Sequence, residues 1–244
     1  MGGGGGAPVM TVLVRPGVSA GRREELDEGE RHHLRVRRAR AGEVVALRDG
    51  AGLVGTGRLA ESGGEWLVDV DAVERRPRPA ELTLAIGAGD RERFGWLVEK
   101  AAELGVTRIV PLESERTAGV ASRLRDTHLT RLRRQALEAI KQCGAAWALE
   151  LESPVSVADF AARPRAGAAW LADAEGAPPP TALTDAPISV VIGPEGGLSA
   201  PERTALRSAR FEPVVLAQYT LRFETAAVAA AAAVATARLR GLHD

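Results

Sequence analysis

The sequence predicts an α/β protein, a mainly parallel sheet covered by helices, with a small β-barrel in front of it. Three observations carry this. Short β-branched runs at close spacing, separated by glycine turns, fill the first part of the chain. Arg75-Arg-Pro-Arg-Pro79 then stops both helix and strand and stiffens a linker. Beyond it, apolar strands alternate with segments of helical spacing, which is the pattern of a parallel sheet.

The elements follow in order. Residues 1–9, with their run of glycines, read as a flexible tail. Met10–Val14 reads as a strand, Glu24–Val36 as a short helix and Glu43–Leu47 as a strand closed by the turn Asp49-Gly-Ala-Gly52. Leu53–Leu59 and Trp66–Val73 continue the strands. The barrel is therefore expected over 10–76 and the α/β domain over 80–244. In the latter, Leu82–Ile86 is a strand, and Phe94, Leu97, Val98, Ala101, Ala102 and Leu104 give a helix ended by Gly105. Val106–Leu112 is a strand, Leu129–Gln142 a helix, Ala148–Leu151 a strand and Val157–Ala162 a short helix. Ala168–Ala172 is a strand, followed by a Pro-rich loop over Ala177–Asp185. Ile188–Ile192, a helix over 200–209, Pro213–Leu216 and an Ala-rich helix to Leu239 complete the chain.

Composition narrows the function classes. The 244 residues are 45% hydrophobic, enough for a sizeable core. The formal net charge is zero, so any nucleic-acid surface must be local. One cysteine, Cys143, precludes an internal disulfide and fits a reducing cytoplasm. Its surroundings lack a His and acid pattern, so a buried helix residue is the expectation. One cysteine and four histidines do not suggest a metal site. The start has neither a basic nor an apolar signal region, and Ala226–Ala237 is too short and weakly apolar to span a bilayer. A soluble cytoplasmic protein is expected.

Two loops stand out. The run Ile188–Ile192 ends in Gly193-Pro194-Glu195-Gly196-Gly197, and Ser199-Ala-Pro-Glu202 then fits a helix-starting capping box. Such a loop lets the backbone approach a ligand closely. Glu195 argues against a phosphate cradle, since phosphate is met by N–H groups and cations. The second loop, Leu216-Ala-Gln-Tyr-Thr-Leu-Arg-Phe-Glu-Thr-Ala226, also follows a strand and precedes a helix. Parallel strands put both loops on one sheet edge, where they form opposite walls of a candidate pocket offering Glu195, Arg222, Glu224 and Thr225. Alone, the first reads more readily as a plain turn than as a site, and Arg222 with Glu224 more readily as a surface ion pair or helix-start charges; together, each at a strand end, they favour a site.

Together the two loops resemble the SPOUT methyltransferases, and more narrowly the bacterial small-subunit ribosomal RNA uridine-N3 methyltransferases. Glu99–Val106, Ile109–Leu112, Ser114-Glu-Arg-Thr117 and Glu138–Gly144 resemble that family's middle segments, and His32–Arg38 with Gly42-Glu-Val its N-terminal RNA-binding barrel. The resemblance implies a PUA-like barrel and a C-terminal trefoil-knot domain. It implies S-adenosylmethionine as methyl donor and a homodimer with active sites at the subunit interface. Leu171, Ala172, Gly193, Pro194, Glu195, Gly196, Gly197, Leu216, Gln218, Tyr219, Thr220, Leu221 and Arg222 would line the cofactor. The chain departs from the family pattern at Ala217, Tyr219, Thr220 and Ala145, and Ala88-Gly89-Asp90 stands where a lysine is common.

The reading that follows is methylation of uridine N3 in 16S ribosomal RNA, free or in the small subunit. Arg222 would stabilise the uridine anion or hold phosphate, and Glu224 would act as base or orienter. The stretch Arg31, His32, His33, Arg35, Arg37, Arg38, Arg40 is a candidate phosphate patch, with nearby acids offering the alternative of a solvated face. Arg123, Arg125, Arg131, Arg133 and Arg134 form a second basic group. Three alternatives stay open: a sister enzyme acting on ribose 2′-oxygen or another base, an RNA-binding assembly protein without turnover, and a nucleotide hydrolase, the last disfavoured by the missing Walker lysine. The small-residue helix Ala226–Ala237 suits tight packing, within the subunit or across a two-fold axis.

Overall fold

A computed structural model describes residues 10–87, 89–117 and 126–241. Ala88, Arg123, Arg125 and the N-terminal tail, all named above, lie outside these residues. The chain divides into two compact units, one taking in residues through Arg78 together with Ile140–Ala148, the other Pro79–Ala139 and Leu149 onward.

In the first unit, β1 (Thr11–Leu13), β2 (Arg23–Glu25), α1 (Glu28–Val36), β3 (Val44–Arg48), β4 (Leu53–Ser62) and β5 (Glu65–Arg75) follow in order. The sheet runs β1-β3-β4-β5-β2, with β1 parallel to β3 and the other pairs antiparallel. The helix expected from Glu24 begins later. Arg23–Glu25 is drawn into a strand against β5, where the Arg23 guanidinium holds Asp69 at 2.6 and 2.8 Å. That hydrogen bond keeps the Asp69 carboxyl below its ordinary pKa. Asp27 is the true N-cap, accepting from Glu30 N at 2.8 Å. Val12, Leu34, Val45, Leu47, Leu59 and Val68, each inward by strand or helix period, share one core.

Specific contacts tie the returning segment, 140–148, into this unit. Trp147 Nε1 donates to the carbonyls of Arg76 and Pro77 at 3.1 and 2.9 Å, and the Arg78 guanidinium lies 4.5 Å over its ring. Lys141 Nζ reaches the buried Glu30 carboxylate at 2.6 Å. Cys143, expected to be buried, is exposed: it closes the helix on the solvent side, beside Gln142 and Gly144.

The second unit contains β6 (Leu82–Gly87), α2 (Arg91–Glu103), β7 (Arg108–Glu113), most of α3 (Asp126–Cys143), β8 (Glu150–Leu151), β9 (Val155–Ser156), α4 (Val157–Ala162), β10 (Ala168–Ala177), β11 (Ile188–Ile192), α5 (Ala200–Ser208), β12 (Glu212–Val214) and α6 (Phe223–Gly241). Its seven-stranded sheet is ordered β12-β10-β11-β6-β7-β8, with β9 also on β7, and every pairing is parallel. Every residue of the central β6 is buried, as a strand covered on both faces requires. Period two separates the faces. Leu84, Ile86, Ile109, Val190 and Ile192 pack with α2, α3 and α6, whereas Ala85, Val110 and Val191 pack with α4 and α5.

The Ala-rich helix α6 lies on its own sheet. Ala226, Ala227, Ala230, Ala231, Val234 and Ala237 are buried in the core it shares with α2, β6 and β11. Small residues there let the helix sit close to the strands. Ala230→Glu would therefore unfold the subunit, and the more accessible Ala233 lies beside that face. Among the described residues no helix is long and apolar enough to cross a membrane.

Candidate functional site

The parallel sheet sends the segments after β6, β7, β11 and β12 to one edge. The segment after β11 is built by its sequence. Gly197 N donates to Pro194 O at 2.7 Å, closing a turn, and Gly197 takes φ +71°, a value L side chains seldom adopt. Pro194 sits directly on Gly87 at the end of β6: a Cβ at Gly87 would lie 2.5 Å from both the nitrogen and Cδ of Pro194. The helix start forms as expected. Ser199 Oγ accepts from Glu202 N at 3.3 Å and Glu202 Oε2 accepts from Ser199 N at 2.7 Å.

Glu202 does a second job that sequence reading did not find. Its Oε1 accepts from Glu115 N at 2.8 Å and its Oε2 from Ser114 Oγ at 3.2 Å. Ser114 N in turn donates to Thr117 Oγ1 at 3.1 Å. The Ser-Glu-Arg-Thr turn after β7 is thereby fixed, and it presents Arg116, whose guanidinium donates to the carbonyl of Gly196.

Arg93 is the other residue missed from sequence. It lies in the first turn of α2, where Asp90 Oδ1 accepts from Arg93 N at 3.0 Å. Its Nη1 donates to Glu195 Oε1 at 2.9 Å, and its Nε is 3.7 Å from Glu224 Oε1. One cation thus links an acid from each of the two loops singled out in the sequence. The only advance signal was a helix start facing that edge. Glu224 is 8% exposed, and its Oε2 is buried without a hydrogen-bond partner among the described residues. A buried carboxylate oxygen in that condition carries a desolvation cost and suits an N–H or O–H donor from a ligand.

The other candidates distribute as follows. Gly193 and Gly197 are half-buried, Pro194 is buried, and Glu195 and Gly196 are exposed. Leu216 and Leu221 are partly buried against the core, while Ala217, Gln218, Tyr219, Thr220 and Arg222 are exposed. Leu171 turns its side chain into the α4–α5 core, so only its backbone is available to a ligand, and Ala172 is half-buried. After Ala172 the β10–β12 register shifts, and Asp173 is held at 2.5 Å by Arg203 of α5.

The basic stretch on α1 is divided. Arg31 is paired with Glu65 and Glu28, and its pKa is raised by the Glu65 hydrogen bond; Arg35 reaches Glu28 at 2.9 Å. His32, Arg37, Arg38 and Arg40 face solvent. In the second basic group Arg131, Arg133 and Arg134 are exposed, and Arg133 Nε donates to Leu151 O at 3.0 Å. A cavity of about 250 Å³ opens at the opposite edge of the sheet, between Glu81, Arg108, Arg163 and Arg165. Its arginines are committed to Glu81, Glu150, Glu152 and backbone carbonyls, which makes it an internal ion-pair cluster. Among the described residues no group of His, Cys, Asp and Glu is placed to hold a metal ion.

Known proteins share this architecture. The model of an RNA methyltransferase domain matches residues 76–235, and that of an RNA methyltransferase PUA domain matches 26–68. The chain is 33% identical to the ribosomal RNA small subunit methyltransferase E of Aquifex aeolicus over 207 residues, covering 83% of this chain and 90% of that protein. A methyltransferase from Legionella pneumophila, solved with bound S-adenosylmethionine, superposes with a TM-score of 0.78 at 25% identity, over 95% of this chain and 98% of the other. The ribosomal RNA small subunit methyltransferase E of Neisseria gonorrhoeae shares the fold with a TM-score of 0.80 at 24% identity, over 94% and 98%.

Proposed function

The chain belongs to the RNA methyltransferase family whose methyltransferase and PUA domains it matches, and we propose that it methylates N3 of a uridine in 16S ribosomal RNA, using S-adenosylmethionine, in the cytoplasm. The observation that carries this is the linkage of the two loops through Arg93, in a chain so similar to a small-subunit ribosomal RNA methyltransferase. The residues fit the methyl donor. Gly196 and Gly197 keep their part of the loop free of side chains and Leu216 and Leu221 offer apolar contact, while the buried Glu224 Oε2, unpartnered among the described residues, is left for the substrate. The donor supplies an electrophilic methyl group on a sulfonium sulfur.

The chain's own residues do the rest. Uridine N3 carries a proton at neutral pH and attacks poorly until it is removed. Glu224 takes or orients that proton, and Arg222 meets the negative charge that spreads onto the neighbouring carbonyl oxygens. The uridine leaves its stack to reach the site. Residues 10–76, with the returning segment 140–148, serve as the RNA-binding domain, and the rest of 80–244 as the catalytic one. The enzyme works as a homodimer, and the exposed Trp96 of α2 and Leu239 of α6 are apolar surface suited to a partner.

Mass mapping of 16S ribosomal RNA incubated with the purified protein and methyl-labelled donor tests the function. A single methylated uridine base supports it; label on ribose, on another base, or nowhere rejects it.

Substitutions in each unit bear on the same reading. Gly87→Ala must displace Pro194, because the collision is with backbone. Donor affinity measured by calorimetry should fall about tenfold or more while circular dichroism stays native. Undiminished affinity would remove the glycine loop from the cofactor site. Gly196 has room for a Cβ, 3.5 Å from Arg116, so it is the gentler position. On α1 and the turn after it, joint replacement of Arg37 and Arg38 by Glu should flatten the plot of log affinity for RNA against log salt. The slope should drop by about 0.7–0.9 for each phosphate that the protein no longer neutralises. An unaltered slope would make the patch a solvated face.

A further inference from the structure

Tyr219 is the sole tyrosine of the chain and is 78% exposed, more than any other large hydrophobic side chain described. It sits between β12 and α6, three residues before Arg222. Neither its ring nor its hydroxyl has a partner among the described residues. No contact within the described chain holds the ring in place. The ring does not cover the core, cap a helix or stack on a neighbour.

The segment that carries it is exposed over 217–220 and ends in a cation. Ala217, Gln218 and Thr220 beside it are exposed, Arg222 follows on the same segment, and Arg116 is exposed at the neighbouring glycine turn. An exposed aromatic ring on the same open segment as an exposed arginine is the arrangement that binds single-stranded nucleic acid: the arginine meets the backbone and the ring stacks on a base. A cofactor's adenine would stack on a ring too. Cofactor sites, however, enclose most of their ligand, and the enclosed apolar residues of this segment are Leu216 and Leu221. Tyr219, unlike them, faces solvent, where it can meet a polymer substrate.

We propose that Tyr219 is a positioning residue for RNA, stacking on an unpaired base of the substrate strand at the mouth of the site, rather than a contact to the methyl donor. The proposal rests on the RNA methyltransferase reading above. Stacking holds the strand while the target uridine is turned inward, so it lowers KM for RNA more than it raises kcat.

The test uses the full-length protein, its Tyr219→Ala and Tyr219→Phe variants, an oligouridylate, and the same oligomer with abasic sites. Tyr219→Ala should weaken oligouridylate binding by about fivefold or more, Tyr219→Phe should restore it, and the abasic oligomer should bind all three proteins alike. S-adenosylmethionine affinity should be equal in all three by calorimetry. Oligouridylate binding unchanged in Tyr219→Ala overturns the proposal. So does a donor affinity that falls with the ring, which would make Tyr219 part of the cofactor site. A dimeric wild type with a monomeric Tyr219→Ala, seen by light scattering, overturns it in favour of a subunit contact. A wild-type protein that binds no S-adenosylmethionine at all would refute the function reading instead, and the oligouridylate comparison would still decide whether the ring stacks on a base.

Discussion

Arg222→Met should lower the kcat for methyl transfer by about a hundredfold or more, with donor affinity and fold retained. Arg222 lies one residue before α6, and its carbonyl accepts from Ala226 N at 2.8 Å, so its backbone is fixed by the first helical turn. Its side chain is exposed and makes no hydrogen bond or ion pair among the described residues. The neighbouring cations are already committed, Arg93 to Glu195 and Glu224 and Arg116 to the Gly196 carbonyl. Among the described residues Arg222 is therefore a cation of this edge still available to a developing anion. Its planar fork suits a charge shared between oxygens, so Arg222→Lys should recover only part of the rate. Single-turnover assays with methyl-labelled donor separate chemistry from release. A variant with wild-type kcat would strip Arg222 of its catalytic role, and one with weakened donor binding alone would assign it to the cofactor.

How far the sequence disclosed this site depended on whether the signal was local. Both loops were readable because each combines a strand end, turn residues and a helix start within a few positions. The Ser199 capping box was readable for the same reason and forms as expected. Arg93 and Arg116 were not. Each acts on a residue far away in the chain, at a separation of 102 positions for Arg93 and Glu195 and 80 for Arg116 and Gly196, and periodicity says nothing about such pairs. The same holds for Gly87. As a strand terminus it looks ordinary, and only the approach of Pro194 shows why a side chain has no room there.

The fold divides along the same line. Alternating apolar runs disclosed the parallel sheet, because a strand buried on both faces must be apolar throughout. The short β2 escaped because Arg23-Glu-Glu25 carries no apolar pattern; it is a strand by virtue of its partner, Leu67–Asp69 of β5. The exposed Cys143 escaped because helical spacing was the only guide, and it does not say where a helix leaves its core. In α6 that spacing is itself weak, since alanine covers the whole helix and the buried stripe differs little from the rest.

Lys141→Met should destabilise the first unit by about 3–5 kcal/mol, the cost of leaving a buried charge without its partner. Glu30 is 1% exposed on α1, and the Lys141 side chain is 11% exposed at 2.6 Å from it. The pair spans 111 positions. It joins the returning segment 140–148 to a helix whose apolar contribution to the core is chiefly Leu34. Two opposed effects are at work. Taking both charges out of water costs several kcal/mol, so the intact pair adds little net stability. Removing one partner keeps the desolvation cost of the other and forfeits the attraction. The double replacement Glu30→Gln with Lys141→Met should accordingly recover much of the deficit. Both side chains take part in further interactions, and the double-mutant cycle isolates this pair from them. Urea unfolding of the full chain with Trp96→Phe and Trp170→Phe as background, followed by fluorescence of Trp66 and Trp147, both in this unit, gives the midpoints. If Lys141→Met alone moves the midpoint no more than an ordinary surface change, the pair does not anchor the returning segment, and Trp147 with its carbonyl acceptors and Arg78 is what holds it.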